Sequence, residues 1–337
     1  MPHYLLLVHG SKAGEAKLGL ANAYLWMARP DLSLPLYNEL RAAYPEEQTG
    51  VEGLLFARRQ LRARTTLGAT YNHDNTPMSR HEPFVSHTWR AANNTLIFGL
   101  AASGGRDFDD QTRLPRREYE VNLESLSTWL EPRLSISRQT EPRERTFGDL
   151  RLQVNDLPMY VNIGRINWGK SAFTIPALDQ GLTANRFGVE GKYQFAIGEL
   201  RGFANYFSIS DGNRINAGDL RVTSRWRPWG RELKPFYGVQ WRFSNHIDPD
   251  YWSPKTYALG YVGLEGEWER RMWMINAIVQ AGVKLAGEAS TSVAGSLVAK
   301  RWIGEDWAIG MTGYAQSGSR ASKYQAAGVT AFIEKLW

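Results

Sequence analysis

The chain contains no cysteine, which removes disulfides, thiol nucleophiles and cysteine-based zinc sites together. It has no apolar run approaching the roughly 18 to 20 residues of a membrane helix, so any membrane crossing must be made by strands. Nor is there a polybasic block. The 40 Lys and Arg are set against 34 Asp and Glu spread along the sequence, and the net charge of +6 does not mark a nucleic-acid partner. Met1 to Lys17 holds one short apolar run, Tyr4 to Val8, with no basic region before it and no cleavage site after it. This is not a signal peptide, and the natural N-terminus is expected upstream.

Catalytic motifs are missing too. Of six histidines (His3, His9, His73, His81, His87, His246), none belongs to an H-E-x-x-H or to a cluster at ligand spacing. His73-Asp74 and His246-Ile247-Asp248 put a carboxylate beside an imidazole, as a protease at a barrel rim would, but no nucleophile elbow accompanies them. Gly191-Lys192 and Ser103-Gly104-Gly105 lack the spacing of a phosphate loop. The sequence therefore predicts no enzyme, no metal and no cofactor.

What is present is a rhythm. From about Leu61 to Trp337, some sixteen segments alternate apolar and polar residues. Phe187, Val189, Gly191, Tyr193 and Phe195 interleave with Arg186, Glu190, Lys192 and Gln194; Tyr119, Val121 and Leu123 interleave with Glu118, Glu120, Asn122 and Glu124. The same holds for Tyr237, Val239, Trp241 and Phe243 against Gln240, Arg242 and Ser244, and for Leu264 and Trp268 against Glu265, Glu267 and Glu269. Three segments, Phe84 to Arg90, Met159 to Trp168 and Arg201 to Ile209, have mixed faces.

A soluble sheet with one wet face would alternate in the same way, so the connections decide. Tight links fall near Ala92-Asn93-Asn94, Thr128, Asp156-Leu157-Pro158, Ile197-Gly198, Arg270-Arg271 and Gly304-Glu305-Asp306, with Pro228 to Arg231 a little longer. Between them lie the polar stretches His73 to Glu82, Ser103 to Pro115, Gly169 to Thr183, Ser210 to Gly218 and Asn245 to Lys255. Short and long links taking turns, an even strand count and 13 Trp, 15 Tyr and 13 Phe for interfacial girdles predict an all-β transmembrane barrel of about sixteen antiparallel strands over 59–337. Closure removes the sheet edges that lipid cannot tolerate.

Residues 1–58 read differently. Leu18, Leu20, Ala21, Tyr24 and Leu25 fall at helical spacing, Arg29-Pro30-Asp31 interrupts, and Leu36, Tyr37, Leu40 and Tyr44 resume before Pro45; Val51, Leu54 and Leu55 point to one further helix. That helix leads into Arg58, Arg59, Arg62 and Arg64, a basic cluster expected at the membrane surface. The unit resembles one tetratricopeptide repeat: Leu20, Ala21 and Tyr24 match the first-helix pattern, Tyr37 the aromatic of the second and Pro45 the closing proline, while Lys17 and Ser33 depart from it. The terminal Trp337 resembles the aromatic signal read by the barrel-assembly machinery, with Lys335 as a departure.

A tetratricopeptide-like unit leading into a barrel, together with Tyr251-Trp252-Ser253-Pro254-Lys255-Thr256-Tyr257, resembles the outer-membrane exopolysaccharide exporters of the poly-N-acetylglucosamine, cellulose and Pel type that serve biofilms. The resemblance implies an outer-membrane porin that passes a polysaccharide from periplasm to cell surface. Its helices would lie in the periplasm and meet an inner-membrane synthase or a polymer-modifying enzyme. Lumenal contacts would come from Glu118, Glu120, Glu124, Arg221, Arg225, Arg227, Arg242, Glu265, Glu267 and Glu269, with Tyr257 and Tyr261 offering flat faces to sugar rings. An exporter of a cationic polymer is expected to have an acidic lumen, whereas this set carries both signs, as suits a neutral or zwitterionic chain. Ser103 to Pro115 and Asn245 to Lys255 are candidates either to fold inward as gates or only to cover the rim. The competing reading is a phage-adsorption or surface-assembly barrel that carries periplasmic repeats.

Overall fold

The computed structural model describes residues 13–27, 29–45, 48–75, 78–91, 95–126, 130–154, 159–228, 230, 232–270, 272–319 and 324–337. The expected tight links at Ala92-Asn93-Asn94, Thr128 and Asp156-Leu157-Pro158, along with His3 and His9, lie outside the described residues.

Three helices open the chain: α1 (Ala13–Trp26), α2 (Pro30–Ala43) and α3 (Gln48–Leu61). Pro30 starts α2, where a missing backbone N–H costs nothing. Ala21, Tyr37, Leu40, Leu54 and Ala57 form the core between the helices. The Tyr37 hydroxyl donates to Asn22 Oδ1 at 2.6 Å, and burial pushes its pKa up to about 12.

Sixteen strands follow: β1 (Arg64–Asp74), β2 (Ser79–Ala91), β3 (Leu96–Phe108), β4 (Arg113–Ser125), β5 (Leu130–Glu141), β6 (Arg145–Val154), β7 (Met159–Asn167), β8 (Thr183–Phe195), β9 (Gly198–Ile209), β10 (Arg214–Ser224), β11 (Leu233–Ser244), β12 (Tyr257–Arg270), β13 (Trp273–Gly287), β14 (Ser290–Ile303), β15 (Trp307–Ser319) and β16 (Gln325–Leu336). Each pairs antiparallel with its sequence neighbours, and β1 closes on β16 from Arg64↔Leu336 to Asp74↔Ala326. The result is one closed barrel without an edge. A barrel of this strand number leaves an aqueous interior, whereas eight strands are filled by side chains.

Cross-strand register fixes the faces. Val121 sits opposite Leu100 and Ile136, and all three are exposed on the outer surface; Glu120 faces inward opposite Ser137 and accepts from the diagonal Ser135. Leu67, Ile163, Phe187, Leu220, Val262, Val279 and Ile333 continue the exposed apolar band around the barrel. Side chains that ought to be buried in a soluble protein are here displayed to a non-aqueous solvent, which is the membrane-barrel arrangement. Trp89 stacked on Phe98, with Tyr193, Trp268, Trp273, Trp307 and Trp337, lines the end that carries the chain termini.

The loop pattern departs from expectation. His73 to Glu82 is mostly strand, with only 75–78 as link; Ser103 to Pro115 reduces to 109–112 and Ser210 to Gly218 to 210–213. Strands on this side run past the apolar band, where both faces are polar, so alternation vanishes while the hydrogen-bond ladder continues. Two long connections remain on that side among the described residues, 168–182 and 245–256.

The three segments with mixed faces are strands β2, β7 and β9. Their patterns are blurred because aromatic residues stand on the lumenal face: Phe84 on β2, Tyr160 on β7, and Phe203 and Phe207 on β9.

Candidate functional site

The lumenal wall is built from compensated charges. On β4 to β9, Arg133 pairs with Glu124 at 2.6 Å, Arg186 with Asp149 at 2.5 Å and Arg151 with Glu190 at 3.5 Å, while Ser135 Oγ donates to Glu120 at 2.8 Å. All of these except Glu124 line a cavity of 520 Å³ together with Asn122, Asn162 and Asn205. On the far wall Arg221 pairs with Glu265, and Lys300 and Arg64 both reach Glu334, at 2.7 and 3.4 Å. Donors and acceptors are thus offered together along the described wall.

The connection 168–182 folds into the lumen. It forms two single-turn helices, α4 (Trp168–Ala172) and α5 (Ile175–Asp179), turned at Phe173, whose φ of 57° is unusual for a bulky side chain. Asn167 Oδ1 caps α4 by accepting from the Lys170 N–H at 3.0 Å. Trp168, Ala172, Ala177 and Leu182 pack with Ile209, Ile215 and Tyr251, while Ile175 and Leu178 pack with Met78 beside Leu114 and Phe173.

On one side, Lys170 Nζ bonds Glu118 of β4 at 2.6 Å, and Arg80 of β2 lies over the Phe173 ring at 4.9 Å. On the other, Trp168 packs against Ile215 of β10. β2 and β10 stand eight strands apart in the ring, so this segment crosses the lumen.

A buried network holds the β2–β4 abutment. Arg116, with 1% of its side chain exposed, meets Glu82 at 2.5 Å and Asp107 at 3.2 Å, and Arg80 meets Asp107 at 2.5 Å. The second long connection, 245–256, locks onto the first. The Tyr251 hydroxyl donates to Asp211 Oδ2 at 2.7 Å, and burial, reinforced by that carboxylate, holds its pKa above the ordinary tyrosine value. Gln180 bonds Asp250, and the Arg242 guanidinium lies 5.6 Å from the Trp168 ring and 5.0 Å from the Trp252 ring.

Of the residues predicted to touch cargo, Glu118, Glu120, Glu124, Arg221, Arg242, Tyr257, Tyr261, Glu265, Glu267 and Glu269 fall at inward positions of the barrel strands. Arg225 and Arg227 do not: β10 ends at Ser224, and both guanidiniums bond carbonyls of the rim, Arg225 to Ala196 at 3.2 Å and Arg227 to Ser224. Glu118 belongs to the anchor of the crossing segment rather than to an open surface. Tyr257 and Tyr261 are inward yet only 4% and 5% exposed; Trp252 packs edge-on to Tyr257, and Tyr261 donates to Asp219 at 2.9 Å.

The lumenal aromatics with accessible faces are others. Phe203 is 43% and Tyr314 41% exposed. Neither stood out in the sequence, since an inward aromatic breaks the alternation by which faces are read. The candidate gates also change places. Asn245 to Lys255 does turn inward, but Ser103 to Pro115 is ladder, and the principal crossing is made by 168–182.

At the opposite end, α3 is fastened to the rim. Buried Arg59 lies 4.1 Å over the Trp302 ring and donates to the Gly304 carbonyl at 3.1 Å. Arg62 meets Asp306 at 2.5 Å and donates to the Leu336 and Trp337 carbonyls at 3.3 and 3.1 Å. The cluster predicted for the membrane surface thus turns three of its arginines, Arg59, Arg62 and Arg64, onto the barrel. Between α2, α3 and the rim is a cavity of 470 Å³ lined by Leu34, Arg41, Val51, Leu55 and Arg58.

These features define a sixteen-strand membrane-type barrel with a lumenal constriction and a helical foot. No protein-family model and no curated protein sequence matches the chain. Among solved structures it is similar to a bacterial polysaccharide outer membrane secretin, at 12% identity and TM-score 0.64, over 82% of this chain and 99% of that one. It also resembles CdiB from Acinetobacter baumannii, at 9% identity and TM-score 0.52, over 81% of this chain and 60% of that one. At such identities the likeness is one of fold.

Proposed function

We propose that the protein is an outer-membrane porin that conducts a secreted polysaccharide from the periplasm to the cell surface. The observation that carries this reading is the wet, charge-compensated lumen of a closed sixteen-strand barrel, of the same fold as a polysaccharide secretin along nearly all of that chain. Paired carboxylates and guanidiniums supply acceptors and donors to sugar hydroxyls, and each contact is weak enough to be released as the chain advances. The foot formed by α1 to α3, read as a tetratricopeptide-like unit, would lie in the periplasm and receive a synthase complex or a polymer-modifying enzyme. The β16 strand ending at Trp337 would engage the barrel-assembly machinery.

Planar-bilayer recording tests the reading. Conduction predicts an ion current that added oligosaccharide blocks reversibly from either side. A barrel that inserts but carries no current and shows no block would overturn it and favour an adsorption or surface-assembly role.

A further inference from the structure

Five lumenal aromatic rings share one device: each reaches along the wall so that the tip of its ring covers a glycine of the neighbouring strand. A Cβ on Gly68 would fall 2.6 Å from Phe84, one on Gly310 2.3 Å from Phe332 and one on Gly328 2.4 Å from Tyr314. The same holds for Gly263 beneath Phe236, at 2.3 Å, and Gly238 beneath Tyr261, at 2.4 Å. Phe236 and Tyr261 are buried, with the Arg221 guanidinium 3.8 Å over the Phe236 ring, so they form a sealed patch. The other three are different. Phe84 and Phe332 are half-buried and Tyr314 is exposed.

Register places these three together. Gly310, Phe332, Gly68 and Phe84 occupy successive strands β15, β16, β1 and β2 at one level. Tyr314 over Gly328 stands four residues further along β16, about 13 Å toward the crossing segment. The strip thus runs along the barrel axis on the β15–β2 wall. The packing partners of the crossing segment lie on β4, β9, β10, the 245–256 connection and Met78 of the β1–β2 link, with Arg80 of β2 over Phe173. A chain passing that segment is therefore directed toward β13 to β16, where Tyr314 and Phe332 stand, with Phe84 at the margin.

We propose that Phe84, Phe332 and Tyr314 form a stacking surface for the apolar faces of pyranose rings in an uncharged stretch of polysaccharide. This rests on the conduction reading and specifies how the wall holds its cargo. A ring laid on glycine keeps its face toward the lumen without projecting into it, so it offers contact at no cost in bore. Sugar faces carry only C–H groups and stack on aromatic rings without a directional bond, which suits repeated release during movement. Nearby, Lys300 and Arg64 share the single carboxylate of Glu334, which leaves one net positive charge and hydrogen-bond donors that suit sugar hydroxyls.

The test is single-channel block of the full chain by cellohexaose, with polyethylene glycol of equal length as a ringless control. Phe84→Leu and Phe332→Leu keep apolar bulk and remove the face, and each is expected to shorten the cellohexaose dwell time about two- to tenfold while leaving the polyethylene glycol dwell unchanged. Gly310→Ala meets only the Phe332 ring and is expected to tip it into the bore, lowering open-channel current as well. If cellohexaose blocks the wild type and the Leu variants alike, or if both probes change equally, the strip is refuted and conduction stands. If the wild type passes no current, or passes current that cellohexaose does not interrupt, both ideas fall.

Discussion

The Arg62 guanidinium and the Asp306 carboxylate meet at 2.5 Å although 244 residues separate them, which ties the residue that follows α3 to the β14–β15 link. Lys335 reaches the other carboxylate oxygen at 3.2 Å. Together with Trp337 Nε1, which donates to Thr65 Oγ1 at 2.8 Å, this fastens the helical foot beside the seam where the barrel closes.

Asp306 accepts from two cations, and those bonds hold its pKa below the ordinary aspartate value. A depressed pKa means that the contact contributes fully above the ordinary aspartate range, near pH 4, and is lost as pH falls through the lower folded value. Acidification is expected to loosen the foot before the barrel opens. Limited proteolysis between Leu61 and Arg64 as a function of pH checks this, and Asp306→Asn should cut equally fast at neutral and acidic pH.

Tyr37 gives the opposite edge. Its pKa is raised from 10.0 to about 12 by burial, so its contribution is present below pH 10 and disappears as pH rises through about 12. Alkaline titration followed by tyrosinate absorbance should show the helices α1 to α3 melting in that window while the barrel remains. Tyr37→Phe, which cannot ionise, should remove the transition at a neutral-pH cost of about 1 kcal/mol for the lost bond to Asn22.

The crossing segment sets the bore. Replacing 169–181 by a short glycine-serine link is expected to raise single-channel conductance several-fold, and Lys170→Ala, which frees Glu118, to give a smaller rise with flickering. If conductance stays unchanged in both, the crossing does not limit flow.

Breaking one partner of the buried Arg221–Glu265 pair leaves an uncompensated charge. Arg221→Met should cost about 3–5 kcal/mol, read from the urea midpoint in detergent micelles, and Arg221→Met with Glu265→Leu should recover most of it.

Neighbouring residues on β4 test the faces directly. Val121→Arg puts a charge into the lipid band at about 2–4 kcal/mol and should impair assembly, whereas Glu120→Ala, one residue away on the wet side, should assemble normally.

Strand number and facing were legible because lipid on one side and water on the other impose a period of two that survives in the bare sequence, as in Tyr119 to Glu124. The segments that hid it, around Phe84 and Phe203, do so for a reason: their inward positions carry rings, Phe84 over Gly68 of the next strand, Phe207 against Trp168 of the crossing segment and Phe203 on the cavity wall. No local pattern records such pairings. The crossing itself was equally hidden, since Trp168, Ile175 and Leu178 read as any loop residues until Ile209 and Ile215 are brought against the first and Met78 against the other two. The arginines before β1 looked like a membrane-surface patch because charge is visible in sequence, while Trp302 and Asp306, which receive them, lie more than two hundred residues away.

β7 and β8 stay paired right up to the crossing, through Asn167↔Thr183, so the segment leaves the wall and rejoins it at adjacent strands. The ladder is complete without it. Aperture is therefore written in that stretch and the 245–256 connection that braces it, and wall in the strands, so the two can be inherited, exchanged or redesigned separately: a lineage, or an engineer, could recut the opening for a thicker thread without changing the register of a single strand.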